Sequence, residues 1–349
     1  MILPRGDRQV LTEAQFAQEA ELTPTEPMCN SRRGICVFSP GLRLTVTIEA
    51  GPDGEEVHLH PGGQGYWVAR SIERLGEPVV LCATVGGEVG DVLTALLQSQ
   101  TGIDFVPIQQ AAPSSVSVYD RRSGTRQLIA RTAPATIDRH AVDKLYSLTL
   151  AHAAGRDCCV LAGNIDTGVI PTAYYGRLCA DLAALDVPVI TDLHGPELAA
   201  VIECGTAQLV KVSDEDLRAD GLITGEADEM IIEGVVELSE RVPHDLVVTR
   251  GPDRPAVARV ASDWFSVTTP RLAAADWRGA GDAMVGAIAV ARIRGYRGSD
   301  LLRFGAAAGA ASITRRGLAS LDAELVEALA PRVRVDSAGD AAAALATTR

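Results

Sequence analysis

Short apolar runs separated by amphipathic segments recur along most of this chain. Ile35–Pro40 (ICVFSP), Pro78–Thr84 (PVVLCAT), Cys158–Gly163 (CCVLAG), Val187–Asp192 (VPVITD), Gln208–Ser213 (QLVKVS) and Asp245–Arg250 (DLVVTR) are too short for helices. They also lack the alternation of half-exposed strands. Such runs predict parallel strands covered on both faces. The segments between them have helical spacing. Tyr66–Leu75 sets Val68, Ile72 and Leu75 on one face, with Gly76 as a stop, and Val89–Ser99 carries Val92, Leu93, Leu96 and Leu97. Further helices are predicted at Asp282–Arg294, Ser299–Arg315 and Asp322–Leu329. The rhythm is that of an α/β domain with a mainly parallel sheet.

Two stretches of period two interrupt it. RLTVTIE and EVHLH flank Gly51–Gly54, and SVSVYD and TRQLIAR flank RRSG, so two hairpins are predicted early in the chain. PAVARVA and WFSVTT predict a late antiparallel hairpin. Leu44, Val46 and Ile48, with Val57 and Leu59 opposite, give the first hairpin an apolar face that needs cover. The polar segment 1–34, with Pro24, Pro27 and a capping box at Thr12–Gln15, is expected to be a partly disordered extension. The expected main body is 35–332, and 333–349 reads as an Ala-rich tail without chemistry.

Composition narrows the function. Of 349 residues, 47% are hydrophobic, and the net charge is −13. An acidic chain does not suit a nucleic-acid scaffold, whose partner carries phosphates. The seven cysteines include adjacent Cys158 and Cys159 but no CxxC pair, which suits reduced thiols in a cytoplasm. No leader with a charged start precedes a hydrophobic stretch, and no apolar run reaches ~18 residues, so neither export nor a membrane span is expected.

The chemistry concentrates at Asp276-Trp277-Arg278-Gly279-Ala280-Gly281-Asp282, immediately before the apolar stretch AMVGAIAVARIRG. Small residues at a helix start let backbone N–H groups crowd around an anion, where the helix dipole adds positive charge. A carboxylate in the first turn, Asp282, then stands beside a phosphoryl group, an arrangement suited to general-base phosphoryl transfer. The competing reading is close packing at Gly-Ala-Gly with Asp282 as a dipole partner. A second glycine cluster, Pro61-Gly62-Gly63-Gln64-Gly65, joins the first hairpin to a helix and is equally consistent with ligand approach or with a hinge.

With that segment added, the chain resembles the ribokinase-like (PfkB) carbohydrate kinases, nearest the 1-phosphofructokinase and tagatose-6-phosphate kinase branch. The matching motifs run in family order from Ile35 to Leu329. They are Phe38-Ser39-Pro40, PGGQGYWVARSIERLG, TVGGEVGD, AGNIDTGV at Ala162–Val169, LVKVSDEDL at Leu209–Leu217, VVTRG at Val247–Gly251 and RGAGDAMVGA. The resemblance implies a three-layer α/β/α ribokinase-like domain with a small β-hairpin lid from about 43–61 and 113–131. It also implies ATP and Mg²⁺ as cofactors. Asp282 would be the base, and Gly279, Ala280 and Gly281 the cradle for the transferred phosphoryl. Thr249, Gly251, Ala308 and Gly309 would line the nucleotide site. Lys211, Ser213, Asp216 and Asp192 would order phosphates, water and Mg²⁺, although Lys211 in an ion pair and Asp192 as a helix cap are equally open.

The acceptor side departs from the family. Arg43 stands where the family has a sugar-gripping Asp, and Trp67 where it has Asn. Gln64 replaces a Lys, and Pro113 replaces a lid Arg. Arg and Trp cannot clamp a vicinal diol as Asp and Asn do, and the lost cations weaken a phosphate grip. Fructose phosphates are therefore expected to be poor acceptors. Arg43, Gly63, Gln64, Trp67 and Asn164 are the candidate acceptor residues. On the nucleotide side, Ser213-x-x-Asp216 replaces Asn-x-x-Glu, and Arg278 replaces the usual Thr. The expected activity is an ATP-dependent small-molecule kinase acting on a hydroxyl of a sugar-like or other small polar acceptor, with a catalytically weak or inactive pseudokinase that binds nucleotide or metabolite as a regulator as the alternative. A homodimer through residues 44–60 is expected from the apolar hairpin face.

Overall fold

The computed structural model describes residues 33–346, apart from 101, 133–134, 164–167, 226–227, 252–253 and 316–319. Of the expected extension 1–34 only residues 33 and 34 are therefore described, and its capping box lies outside the described residues, as does Asn164.

The first apolar run forms β1 (Ile35–Ser39), every residue of which is buried. Its alternation is hidden because both faces are covered. Ile35 and Val37 join one hydrophobic core, and Cys36 and Phe38 join the other. Around β1 lies a ten-stranded sheet in the order β14-β13-β12-β11-β10-β9-β8-β1-β4-β5. The strands β4 (Val79–Val85), β5 (Ile103–Gln109), β8 (Cys158–Ala162), β9 (Val189–Asp192), β10 (Leu209–Ser213) and β11 (Asp245–Thr249) run parallel with β1. β12 (Ala256–Val260), β13 (Asp263–Thr268) and β14 (Arg334–Ala338) extend it antiparallel.

One core packs α1 (Gln64–Arg74), α2 (Gly87–Gln98), α8 (Ala280–Ile293), α9 (Gly298–Ser312) and α10 (Ala323–Leu329) on one sheet face. The opposite core packs α3 (Arg139–Ala153), α4 (Ala173–Ala184), α5 (Gly195–Cys204), α6 (Asp214–Ala219), α7 (Asp228–Arg241) and α11 (Ala341–Ala346). This is the expected three-layer α/β/α arrangement. α8 is buried at every position from Ala283 to Ala291, as an inner helix must be. It packs close to α1, since a Cβ on Gly286 would sit 3.0 Å from the Val68 carbonyl oxygen.

The two early hairpins form a separate four-stranded sheet, in the order β3-β2-β6-β7. β2 (Arg43–Gly51) pairs antiparallel with β3 (Gly54–Gly62), and β6 (Ser115–Asp120) with β7 (Gln127–Arg131). β2 and β6 join the hairpins in parallel, with Thr45 opposite Ser117 and Thr47 opposite Tyr119. Thr45, Thr47, Ser117 and Tyr119 are buried, whereas Val57 and Leu59 on β3 are 63% and 49% exposed.

Two strands were not expected. β5 carries Pro107 and mixes polar with apolar residues, which masks its periodicity. β14 falls in the segment read as a tail, yet it pairs with β13 from Trp264 opposite Ala338 to Thr268 opposite Arg334. The sheet thus continues past residue 332.

Candidate active site

The carboxyl ends of three neighbouring strands meet the start of α8. On β9 and β10, Asp192 and Lys211 are direct register partners, and on β10 and β11 so are Ser213 and Thr249. Lys211 Nζ donates to Asp192 Oδ1 at 3.0 Å and to Oδ2 at 3.2 Å, and both side chains are nearly buried. Burial pulls the Lys211 ammonium down, but the charges of Asp192, Asp282 and Asp216 outweigh it and hold its pKa above the ordinary value. Lys211 is therefore a lasting cation in this site.

Above this pair, Gly279 begins α8 at φ 81°, ψ 0°, the left-handed conformation that glycine adopts without strain. No side chain caps the helix, so its first N–H groups are open to an anion. The small residues also admit Lys211, because a Cβ on Gly281 would lie 2.7 Å from its Nζ. Asp282 sits in the first turn, and burial first, then the Asp192 charge, push its carboxyl up to about 7 against the opposing pull of Lys211. A base poised there exchanges protons readily near neutrality.

A cavity of about 420 Å³ opens from this helix start. Ser213, Thr249, Gly251, Arg278, Ala280, Gly281 and Gly309 line it, together with Met284, Ala306, Ala310 and Ile313. Ala308 does not. It is wholly buried in the core, on the side of α9 away from this cavity. Gly309 permits the close approach of α9, since a Cβ there would lie 3.2 Å from the Ala280 carbonyl oxygen. Ser213 caps α6. Its hydroxyl accepts the Asp216 N–H at 3.0 Å and donates to Asp216 Oδ2 at 2.5 Å.

The acceptor candidates are less convergent. Gly63 begins α1, and Gln64 Oε1 lies beside Gly163 at the end of β8. Arg43 is buried, with Nε donating to Ser115 Oγ at 3.2 Å across β2 and β6. Trp67 packs edge-on against Tyr66, at 4.7 Å between ring centroids. Trp67 instead lines a second cavity of about 430 Å³, between the small sheet and the helices α1 and α2. Arg70, Arg121 and Arg126 stand on its wall with Thr45 and Thr47. Sequence reading gave Arg121 to the turn RRSG and Arg126 to the strand TRQLIAR, and assigned neither a role at a site. The available signal was the run of arginines in RRSGTR, within an acidic chain.

A profile of the pfkB family carbohydrate kinases matches residues 42–324. The chain is 30% identical over 306 residues to the ATP-dependent 6-phosphofructokinase isozyme 2 of Mycobacterium tuberculosis, covering 83% of this chain and 86% of that one. It is 23% identical over 284 residues to the 1-phosphofructokinase of Vibrio cholerae, covering 80% of this chain and 87% of that one. The crystal structure of phosphofructokinase-2 from Escherichia coli in complex with potassium superposes with a TM-score of 0.74 at 20% identity, covering 86% of this chain and 99% of that one. The chain belongs to the PfkB family of carbohydrate kinases, phosphotransferases with an alcohol group as acceptor.

Proposed function

We propose that this carbohydrate kinase transfers the γ-phosphoryl of ATP to a hydroxyl of a small polar acceptor other than a fructose phosphate. The observation that carries the reading is the uncapped start of α8, with Asp282 in its first turn and the Lys211 cation against Gly281. The cavity beside it is large enough for a nucleotide. Asp282 takes the acceptor hydroxyl proton as the acceptor oxygen attacks the γ-phosphorus. The bond from that phosphorus to the bridging oxygen breaks, and ADP leaves. The N–H groups at Gly279–Gly281 and the Lys211 ammonium stabilise the charge on the transferred group.

Mg²⁺ fits this site in a limited way. Among the described residues no three His, Cys, Asp or Glu side chains cluster as ligands. Asp192 is paired with Lys211, and Asp216 is engaged by Ser213. The ion would be held chiefly by phosphate oxygens and water, with Asp192 and Asp216 in support, which is the usual manner for Mg²⁺.

The four-stranded sheet acts as a lid on this reading, and a homodimer covers its exposed Val57 and Leu59. The described cysteines are all free thiols, which suits a reducing cytoplasm. No described helix is long and apolar enough to cross a membrane.

The acceptor restriction rests on Arg43 and Trp67, neither of which offers the carboxylate or amide that clamps a diol. No observation favours the alternative of a silent nucleotide-binding regulator. The test is ADP release from Mg-ATP over a panel of polyols, free sugars and sugar phosphates, with Asp282→Asn as control. Turnover of a non-fructose acceptor that vanishes with Asp282→Asn is expected. Efficient use of fructose 6-phosphate or fructose 1-phosphate, at kcat/KM of ~10⁴ M⁻¹s⁻¹ or more, would overturn the acceptor assignment.

A further inference from the structure

Asp276 stands between the two cavities. Its Oδ1 accepts the backbone N–H of Arg278 at 3.1 Å, in the loop that leads to Gly279. Its Oδ2 faces two guanidinium groups from the small sheet, Arg121 Nη1 and Arg126 Nη1, each at 3.5 Å. Arg121 follows β6 and Arg126 precedes β7, and both line the cavity under that sheet, whereas Arg278 lines the nucleotide cavity. The side chains of Asp276, Arg121 and Arg126 are only 8%, 8% and 9% exposed.

A purely structural buried ion pair is expected to close to ~2.7–2.9 Å and satisfy its polar atoms. This cluster does not. Asp276 Oδ2 and Arg126 Nε are both buried with no hydrogen-bond partner. Each arginine is also held from elsewhere on the sheet. The Arg126 guanidinium lies 3.8 Å over the Tyr119 ring, and Arg121 is 3.7 Å from Glu49. The Arg278 guanidinium approaches the same Tyr119 ring at 5.9 Å. Asp276 therefore touches the sheet's cations with one oxygen and the loop before the phosphoryl cradle with the other.

We propose that Asp276 is a positioning residue that couples the nucleotide cavity to the lid. Nucleotide ordering the Arg278 loop fixes Asp276, and Asp276 then holds Arg121 and Arg126, and with them β6 and β7, over the acceptor side. The inference rests on the reading of the small sheet as a lid and of the larger chemistry as ATP-dependent transfer. Binding energy at one cavity thereby sets the order of the other, the requirement for coupling between sites.

Hydrogen exchange of residues 115–131 tests it, in the full-length protein with and without saturating ADP. In the wild type, ADP is expected to slow exchange there by at least about tenfold. Asp276→Asn should abolish that ADP-dependent slowing, and Asp276→Glu should restore part of it. Arg126→Gln should also abolish it while leaving the loop before α8 intact, so it carries the test if Asp276→Asn fails to fold. An Asp276→Asn or Arg126→Gln protein that keeps the wild-type slowing would overturn the coupling. So would a wild type that binds ADP without any change in 115–131. A wild type that does not bind ADP at all would instead remove the kinase reading beneath it.

Discussion

The cradle at the start of α8 and the wall formed by the small sheet serve one proposed reaction, yet they are built from different material. The cradle is made of backbone N–H groups, one carboxylate and one buried cation, all set by strand ends and a helix start within a rigid sheet. The wall is made of side chains carried by two hairpins, joined by the pairing of β2 with β6 and by the ion pairs Arg121–Glu49 and Arg122–Glu55. A backbone device ties each position to its neighbours, because a Cβ at Gly281 would meet the Lys211 ammonium at 2.7 Å and have to displace it. A side-chain device can be rewritten residue by residue, as Arg43 and Trp67 show. The contrast separates the part of the chemistry that handles a phosphoryl group from the part that chooses an acceptor.

The largest effect should come from breaking the cradle side alone. Asp282→Asn should leave the fold and ADP affinity in place and lower turnover by ~10²–10⁴, the usual worth of a general base. With the Asp282 carboxyl at about 7, only the ionised form accepts the proton, so the wild-type kcat/KM should fall as pH drops below 7. Near-wild-type turnover in the variant, or a rate flat from pH 8 to pH 5.5, would take Asp282 out of the mechanism.

The same contrast explains what the sequence disclosed. Gly-Ala-Gly before an acid and an apolar helix states a backbone conformation directly, and Asp192 and Ser213 each end a short apolar run, with Lys211 inside the second. The fold class and the backbone conformation at the start of α8 were therefore legible. Ala308 differs from its neighbours by helix phase. Ala306, Ala310 and Ile313 share a face at helical spacing, and position 308 points away from it. Arg121, Arg126 and the cavity beneath them were not legible, because their placement depends on the register that sets Thr47 opposite Tyr119. No local pattern encodes the pairing of segments that far apart. β14 was hidden for a similar reason, since its edge position leaves its residues half-exposed and polar.

A smaller effect is expected from the exposed apolar groups of the lid. Val57 and Leu59 are large apolar groups left in water, each worth about 1.5–3 kcal/mol when buried. Val57→Asp with Leu59→Asp should convert the proposed dimer to monomer at micromolar concentration, as read by light scattering, without altering the cradle. A wild type that is monomeric under the same conditions would leave the lid face unpaired and rule out the dimer.

The smallest effect concerns stability, and its sign distinguishes the cradle from an ordinary salt bridge. The folded Asp282 pKa lies at about 7, above the ordinary carboxyl value of 3.8. Between those values the native state binds more proton than the unfolded chain, so stability declines as pH rises from about 4 to 7. Above pH 7 the half-buried charge exerts its full destabilising effect. Asp282→Asn removes that charge and keeps the shape. Its Tm should exceed the wild type by about 2 °C or more at pH 8, and the gain should shrink towards zero near pH 4. A carboxylate held chiefly by attraction to Lys211 would give the opposite result, with the variant losing stability at pH 8. Thermal unfolding at the two pH values therefore decides whether Asp282 is kept in place as a strained base or as a structural partner.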